Sequence, residues 1–307
     1  MAKISVLKMI KQPPYLKKGD KIALVCPAKK LPKPIDHAIE ILKEWGLEVI
    51  IGESVYASHH QFAGTDALRT KDIQQFLDDP SIKAIISGRG GYGTIRIIDD
   101  LDFTKFNKSP KWFVGFSDIT VLLSHLIADM DTQCIHAQMP YTFDDSTEEA
   151  LESLRKSLFG EQQQYQYQSE FKNQQGKSQG ILIGGNLTLL TMLQGSVSEM
   201  DFDNKILFLE DVGEQEYGID RMLRMLKRAG KLENLNGLII GAFNEIEEEK
   251  ISFGQTADEV IWEVVKDYNY PVCFNFPTGH IENNLSMVLG AEVELKVESN
   301  NVYFKYL

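Results

Sequence analysis

KWFVGFSDITVLLSHLIADM, residues 111–130, is the stretch on which the reading of the fold turns. Its first six residues are apolar or aromatic after Lys111 and end at Gly115 and Phe116, as a buried strand does. Ile119, Leu122, Leu123, Leu126 and Ile127 then recur at helical spacing and form one apolar stripe. Between the two periods stand Ser117 and Asp118. Two readings of that pair compete. Ser and Asp cap helices by accepting hydrogen bonds from the free N–H groups of the first turn. A serine at a strand-to-helix turn can also be a nucleophile whose oxyanion is met by those N–H groups. Taken alone the stretch favours the cap, because far more helices are capped by serine than carry a catalytic one.

The same alternation runs outward in both directions. KIALVC (21–26), LEVIIG (47–52), IKAIISG (82–88) and TQCIHA (132–137) read as strands. PKPIDHAIEILKEWG (32–46), TDALRTKDIQQFLDD (65–79) and TIRIIDDLD (94–102) read as helices. Strands alternating with helices imply parallel pairing through right-handed crossovers, hence an α/β fold with a doubly wound sheet. The pattern breaks over residues 161–180, where eight glutamines and little aliphatic content suggest an exposed connection. It resumes with GILIGG (180–185), KILFLEDV (205–212), LNGLIIGAF (235–243) and PVCFNFP (271–277), separated by helical segments. MVLGAEVELKVE and NVYFKYL, with Ser299, Asn300 and Asn301 between them, read as an antiparallel hairpin. The expected organisation is an N-terminal α/β domain over 1–150, a Gln-rich linker over 151–179 and a C-terminal α/β domain over 180–307. No internal repeat is visible.

Composition narrows the function. A net charge of -12 argues against nucleic acid and against an anionic membrane surface, since both need a basic face. Cys26, Cys134 and Cys273 are odd in number and far apart, which disfavours a disulfide framework. The first twenty residues carry lysines without a sustained apolar run, and no segment approaches the ~18 apolar residues of a membrane span. A reducing cytoplasm is the expected location. The acidic run Glu245, Glu247, Glu248 and Glu249 reads as a solvated rim and not as a metal site.

Ligands of open α/β sheets gather beyond the carboxyl ends of the strands, and that rule selects four places. GRGGYG (88–93) follows the third strand, and its glycines let backbone N–H groups face an anion. Its order is not that of a dinucleotide fingerprint, so a nucleotide reading is weak, and a tight turn holding a tyrosine competes with it. Ser117 is placed like a nucleophile elbow, yet GFSDI lacks the second glycine of an α/β-hydrolase signature. Glu210 and Asp211 end an apolar strand, where a buried carboxylate needs a partner; a surface acidic cluster with Glu214 and Glu216 is the even alternative. His280 follows a strand and a Thr-Gly turn in FPTGHIENN. His37 and His125 fall inside predicted helices, His59 and His60 in a polar loop, and Cys134 with His136 on one strand reads as structural. Ser117, Glu210 and His280 together supply the nucleophile, carboxylate and base that acyl transfer requires. Periodicity does not bring them together in space.

FAGTDALRTKDIQQFLDDPSIKAIISGRGGYGT, KWFVGFSDITVLL, GGNLTLL, FLEDVGEQEYGIDRML and FPTGHIENN, in this order and at these intervals, resemble the LD-carboxypeptidase family of serine peptidases. That family includes muropeptide LD-carboxypeptidases and microcin C immunity peptidases, and the likeness runs from about Gly19 to the C-terminus. The resemblance implies an N-terminal doubly wound domain and a C-terminal α/β domain with a swivelling, barrel-like sheet, the site lying in the cleft between them. It implies Ser117 as nucleophile, Glu210 as carboxylate and His280 as base, with the backbone N–H groups of Asp118 and of Gly91 or Gly90 as oxyanion donors. Asp118 is assigned the helix terminus and Ser117 the cleft. Arg89, inside the turn, is the expected substrate-binding cation. No metal and no cofactor are implied, and a homodimer is expected. The chain departs from the family at IHAQMP (135–140), where many members carry His-Gly-Pro-Met; Ala137 and Gln138 therefore alter the local cleft.

The leading expectation is a cytoplasmic serine carboxypeptidase that releases a terminal D-alanine from an L-centre in murein tetrapeptides during cell-wall recycling. An immunity-type peptidase acting on a peptidyl-nucleotide antibiotic is the runner-up; it needs an aromatic platform, for which Trp262 in its predicted helix is a poor candidate. A binding module holding a phosphate in the GRGGYG turn is the non-enzyme alternative, and it has no need of the Ser, Glu and His set.

Overall fold

Each apolar run of the N-terminal half becomes a short strand in the computed structural model, which describes residues 10–246 and 251–307. Glu247, Glu248 and Glu249 of the expected acidic rim lie outside the described residues. Strands β1 (Lys21–Val25), β2 (Glu48–Ile51), β3 (Ile82–Ser87), β4 (Trp112–Gly115) and β5 (Cys134–His136) pair in parallel, in the order β5-β4-β3-β1-β2. β1, β3, β4 and β5 are almost wholly buried, as parallel strands covered on both faces must be. The connections are α1 (Asp36–Glu44), α2 (Asp66–Asp78), α3 (Thr104–Lys108) and α4 (Thr120–Ala128). Thr65 caps α2 by accepting from Leu68 N–H. The helix expected over 94–102 is instead two single 3-10 turns, Thr94–Arg96 and Ile98–Asp100.

α4 is not the one-sided helix that its stripe suggests. Eight of its nine residues are buried. It lies between β4 and β5 on one side and the second half of the chain on the other, so the apolar face is the whole helix. The residues that precede α4 are thereby carried to the junction of the two halves.

The second half opens with α5 (Glu148–Phe159), capped by the Thr147 hydroxyl and closed by left-handed Gly160. The glutamine-rich stretch is corrected from linker to sheet: β6 (Gln164–Gln168) is a strand, and β7 (Gly176–Asn186) begins before the stretch ends. QYQYQ has period two, with Tyr165 buried and the glutamines facing out, so composition concealed an edge strand. Then follow α6 (Leu187–Met192), β8 (Lys205–Val212), α7 (Glu216–Arg228), β9 (Gly237–Asn244), α8 (Ala257–Val265) and β10 (Val272–Cys273). PVCFNFP gives only this two-residue strand; Asn275 at φ 56° turns the chain out of the sheet. The tail is three strands, β11 (Met287–Leu289), β12 (Glu292–Glu298) and β13 (Asn301–Tyr306). Only the last two make the expected hairpin. β11 returns to the first sheet and pairs antiparallel with β5, giving it six strands.

The second sheet has seven strands in the order β10-β9-β8-β7-β12-β13-β6. Gln174, in the connection between β6 and β7, exchanges backbone hydrogen bonds of 2.9 and 3.0 Å with Val272 of β10, an isolated bridge that ties this connection to the β10 edge. The protein is a mixed α/β fold with two sheets, the first parallel-rich.

Candidate active site

β4 runs into the site, and the backbone turns sharply at its end. Residues 111–120 are buried except Ser117, which is half-buried. Ser117 has φ 62°, a left-handed conformation that costs a non-glycine residue about 1–3 kcal/mol and persists only where its surroundings impose it. It opens a 3-10 turn, Ser117–Ile119, that leads into α4. Neither helical segment receives a side-chain cap here. Asp118 therefore does not serve the helix terminus. Its Oδ2 accepts the backbone N–H of Thr94 at 2.9 Å, across to the far end of the GRGGYG turn. The Asx-cap expectation fails because the carboxylate finds a tertiary donor.

That turn is braced on every side. Lys29 N–H donates to Gly90 O, Arg69 to Gly93 O, and Tyr141 N–H to Gly88 O. A Cβ on Gly90 would lie 3.1 Å from Ser117 Cβ and 3.3 Å from Phe116 O, so only glycine lets the turn approach the serine this closely. Among the described residues, the N–H groups of Gly90, Gly91 and Asp118 donate to no acceptor. Arg89 is part of the bracing: it donates to Lys30 O at 2.7 Å and lies over the Tyr141 ring at 4.8 Å.

On the opposite side, Glu210 lies near the end of β8 and is fully buried, and its Oε2 lies 2.7 Å from His280 Nδ1. Burial alone would raise the Glu210 carboxyl; the charge and hydrogen bond of His280 overcome it and hold the group below its ordinary value. Burial likewise opposes an imidazolium at His280, and the adjoining Glu210 carboxylate reverses the sign, so His280 is raised above 6.5. With Nδ1 committed to Glu210, Nε2 is left for chemistry. The His280 ring packs on Phe116, the neighbour of Ser117, at 4.8 Å between ring centres. His280 is thus in direct contact with Glu210 and with Phe116, Ser117 is next along the chain, and among the described residues no hydrogen bond joins the Ser117 hydroxyl to the imidazole.

Three further polar groups, Asp211, His136 and Gln138, stand near the pair with surroundings that the sequence did not show. Asp211 accepts from Asn186 Nδ2 (2.8 Å), from Thr188 N–H (2.9 Å) and from its hydroxyl (2.8 Å), tying the start of α6 to the end of β8. Burial, then the charge of Glu210, pushes Asp211 up to about 6. His136 is fully buried near Phe116 and Phe208, and burial pushes it down to about 4, so it stands neutral behind the site. Cys134 donates instead to Leu123 O, and the two do not form a thiol–imidazole pair. Gln138 is buried and bonded across the cleft to the residues after His280. The FLEDV and IHAQMP motifs name these residues but not their partners.

A cavity of about 660 Å³ opens beside the imidazole, walled by Phe116, Gln138, Thr142, Asn244, His280 and their neighbours. Among the described residues, no group of three or more His, Cys, Asp or Glu side chains is arranged to hold a metal ion. No described helix is long and apolar enough to cross a membrane.

A half-buried hydroxyl at a strained elbow and a buried His–Glu pair are groups that α/β hydrolytic enzymes carry. Comparison with known proteins narrows this class. Residues 22–137 match the LD-carboxypeptidase N-terminal domain and residues 179–295 the LD-carboxypeptidase C-terminal domain. A putative carboxypeptidase of Synechocystis sp. is 33% identical, over 98% of this chain and 99% of its own. A probable murein peptide carboxypeptidase of Bacillus subtilis is 33% identical, over 92% and 91%. The crystal structure of a muramoyltetrapeptide carboxypeptidase from Oxalobacter formigenes superposes with a TM-score of 0.84 at 29% identity, covering 93% of this chain and 98% of that one. The chain belongs to the LD-carboxypeptidase family of peptidases.

Proposed function

We propose that the protein is a serine-type LD-carboxypeptidase that removes a terminal D-alanine from an L-centre in murein tetrapeptides. The observation that carries this reading is the 2.7 Å bond from His280 to a fully buried Glu210, with the imidazole packed on Phe116 beside Ser117. The Ser117 hydroxyl attacks the scissile carbonyl and passes its proton to His280 Nε2. The oxyanion that forms is met by the N–H groups of Asp118 and of Gly90 or Gly91. Collapse expels the D-alanine amine with the proton from His280, leaving an acyl-Ser117 ester. Water, deprotonated by His280, hydrolyses that ester and returns the serine. Glu210 fixes the imidazole tautomer and stabilises its cation.

A carboxypeptidase must also hold the substrate's terminal carboxylate. Arg89 sits in the turn, yet two of its contacts brace the loop. Lys29 is the better-placed second cation: its stem lies across Gly91, whose φ of 111° and absent Cβ make room for it, and its ammonium has no acceptor among the described residues. We assign the carboxylate to these two cations jointly. The antibiotic-cleaving alternative gains nothing from Trp262, whose ring is covered by the Lys172 ammonium at 4.6 Å and flanked by Phe274. The activity belongs, on this reading, to cytoplasmic cell-wall recycling by a homodimer, a state that sedimentation velocity would test.

The deciding assay offers the purified enzyme tetrapeptides ending in D-alanine, in L-alanine and in D-alaninamide. Release of D-alanine from the first, with the other two cut at least about 100-fold more slowly, supports the proposal. Equal cleavage of all three would point to a broader amidase.

A further inference from the structure

Gln138 is 2% exposed and uses its whole side-chain amide. Nε2 donates to Ile281 O at 3.1 Å and Glu282 O at 3.0 Å, while Oε1 accepts from the Thr142 hydroxyl at 2.7 Å. Asn244, at the end of β9, donates to His280 O at 2.6 Å. Three consecutive carbonyls, those of residues 280, 281 and 282, are therefore gripped by two amides that reach from different sheets.

The register shows what this grip does. β4 and β5 pair in parallel with Gly115 opposite His136. Ser117 and Gln138 each follow that pair by two residues, Ser117 in the 3-10 turn beyond β4 and Gln138 just beyond β5. The segment that bears His280 is thus tied to the end of β5, the strand beside the one that leads into Ser117. Glu210 and Phe116 orient the imidazole ring, while the Gln138 and Asn244 amides bond the carbonyls of the backbone that carries it. We propose that Gln138 is a positioning residue that sets the separation between the Ser117 hydroxyl and His280. It rests on the serine–histidine reading above and goes beyond it. The amide is fully engaged within the protein, so its effect falls on turnover and not on substrate affinity. A displacement of about 1 Å between reacting groups costs up to about 100-fold in rate.

Gln138→Met keeps the volume and removes both donors; Gln138→Glu keeps the acceptor toward Thr142 and sets a carboxylate against the two carbonyls. Each is expected to lower kcat about 10- to 100-fold with KM within about 3-fold of the parent. A fluorophosphonate that labels the active serine, and needs no peptide-binding contacts, is expected to react more slowly by a matching factor. Thr142→Ala, which frees the amide to rotate, is expected to slow labelling by a few-fold and provides the test if the Gln138 variants do not fold. Unchanged labelling and kcat in folded Gln138→Met, or in Thr142→Ala, would overturn the proposal, as would a loss confined to KM. Wild-type protein that resists the label, or labelled Ser117→Ala, would instead overturn the serine–histidine reading itself.

Discussion

Replacing Glu210 by Gln removes one charge and almost no volume, which isolates the electrostatic part of the pair. The carboxylate is fully buried and 2.7 Å from His280 Nδ1. At about 4 Å between charge centres and an effective dielectric of about 20, its attraction for an imidazolium is about 4 kcal/mol. Above its pKa the resting imidazole is neutral and becomes an imidazolium only when it takes the serine's proton, so in that range the energy is withdrawn from the transition state and not from the resting enzyme. At 1.36 kcal/mol per decade, kcat should fall about 1,000-fold with KM little changed. A second consequence has a definite sign. Glu210 raises His280 against burial, so in Glu210→Gln the imidazole titrates lower than in the parent. Steady-state kinetics on a D-alanine-terminated peptide, with NMR titration of the His280 ring, reads both. A folded Glu210→Gln protein within about 3-fold of parent kcat, or one whose His280 titrates higher, would refute the reasoning.

Three further outcomes are expected. In the parent enzyme, kcat/KM should fall as the pH drops through a midpoint above 6.5, because the base must be neutral and Glu210 raises it; a profile flat from about pH 5 to 8 would contradict this. Gly90→Ala should cut kcat at least about 10-fold with little change in Tm, since the new methyl would sit 3.1 Å from Ser117 Cβ; unimpaired turnover would remove Gly90 from the site. Asp118→Ala should cost about 1–3 kcal/mol in chemical denaturation by stranding the buried Thr94 N–H, while Asp118→Asn, which keeps an acceptor oxygen, should recover most of it.

Much of the fold can be read locally because its parallel strands are short apolar runs ended by glycine or a polar pair. β1 to β5 fall within a residue or two of the expected segments. What could not be read depends on distant partners. β6 looks like a linker until Tyr165 and Tyr167 are set against β13. β11 is three residues long, and its partner β5 lies some 150 residues earlier in the chain. α4 gives an amphipathic signal, yet burial on all sides comes from a second sheet that its own residues do not reveal.

The site divides in the same way. The candidates Ser117, Glu210 and His280 were legible because apolar runs lead to them, although only Ser117 comes soon after a strand: Glu210 lies within β8, and His280 comes well after β10. Asp118 was misread because a cap and a tertiary acceptor have the same local sequence, and Thr94 decides between them. Gln138 stood out only as a departure from a motif; its partners Ile281 and Glu282 are 143 and 144 residues away. Asp211 and Asn186 form a pair that neither strand announces alone.

The most direct test is the covalent state of Ser117 during turnover. Enzyme mixed with a D-alanine-terminated tetrapeptide, quenched in acid within the first turnovers and weighed intact, should gain the mass of the peptide acyl group lacking D-alanine. Fragmentation should place that mass on Ser117, and Ser117→Ala should gain nothing. D-alanine release by a folded Ser117→Ala protein, or an adduct mapped to any other residue, would contradict the assignment.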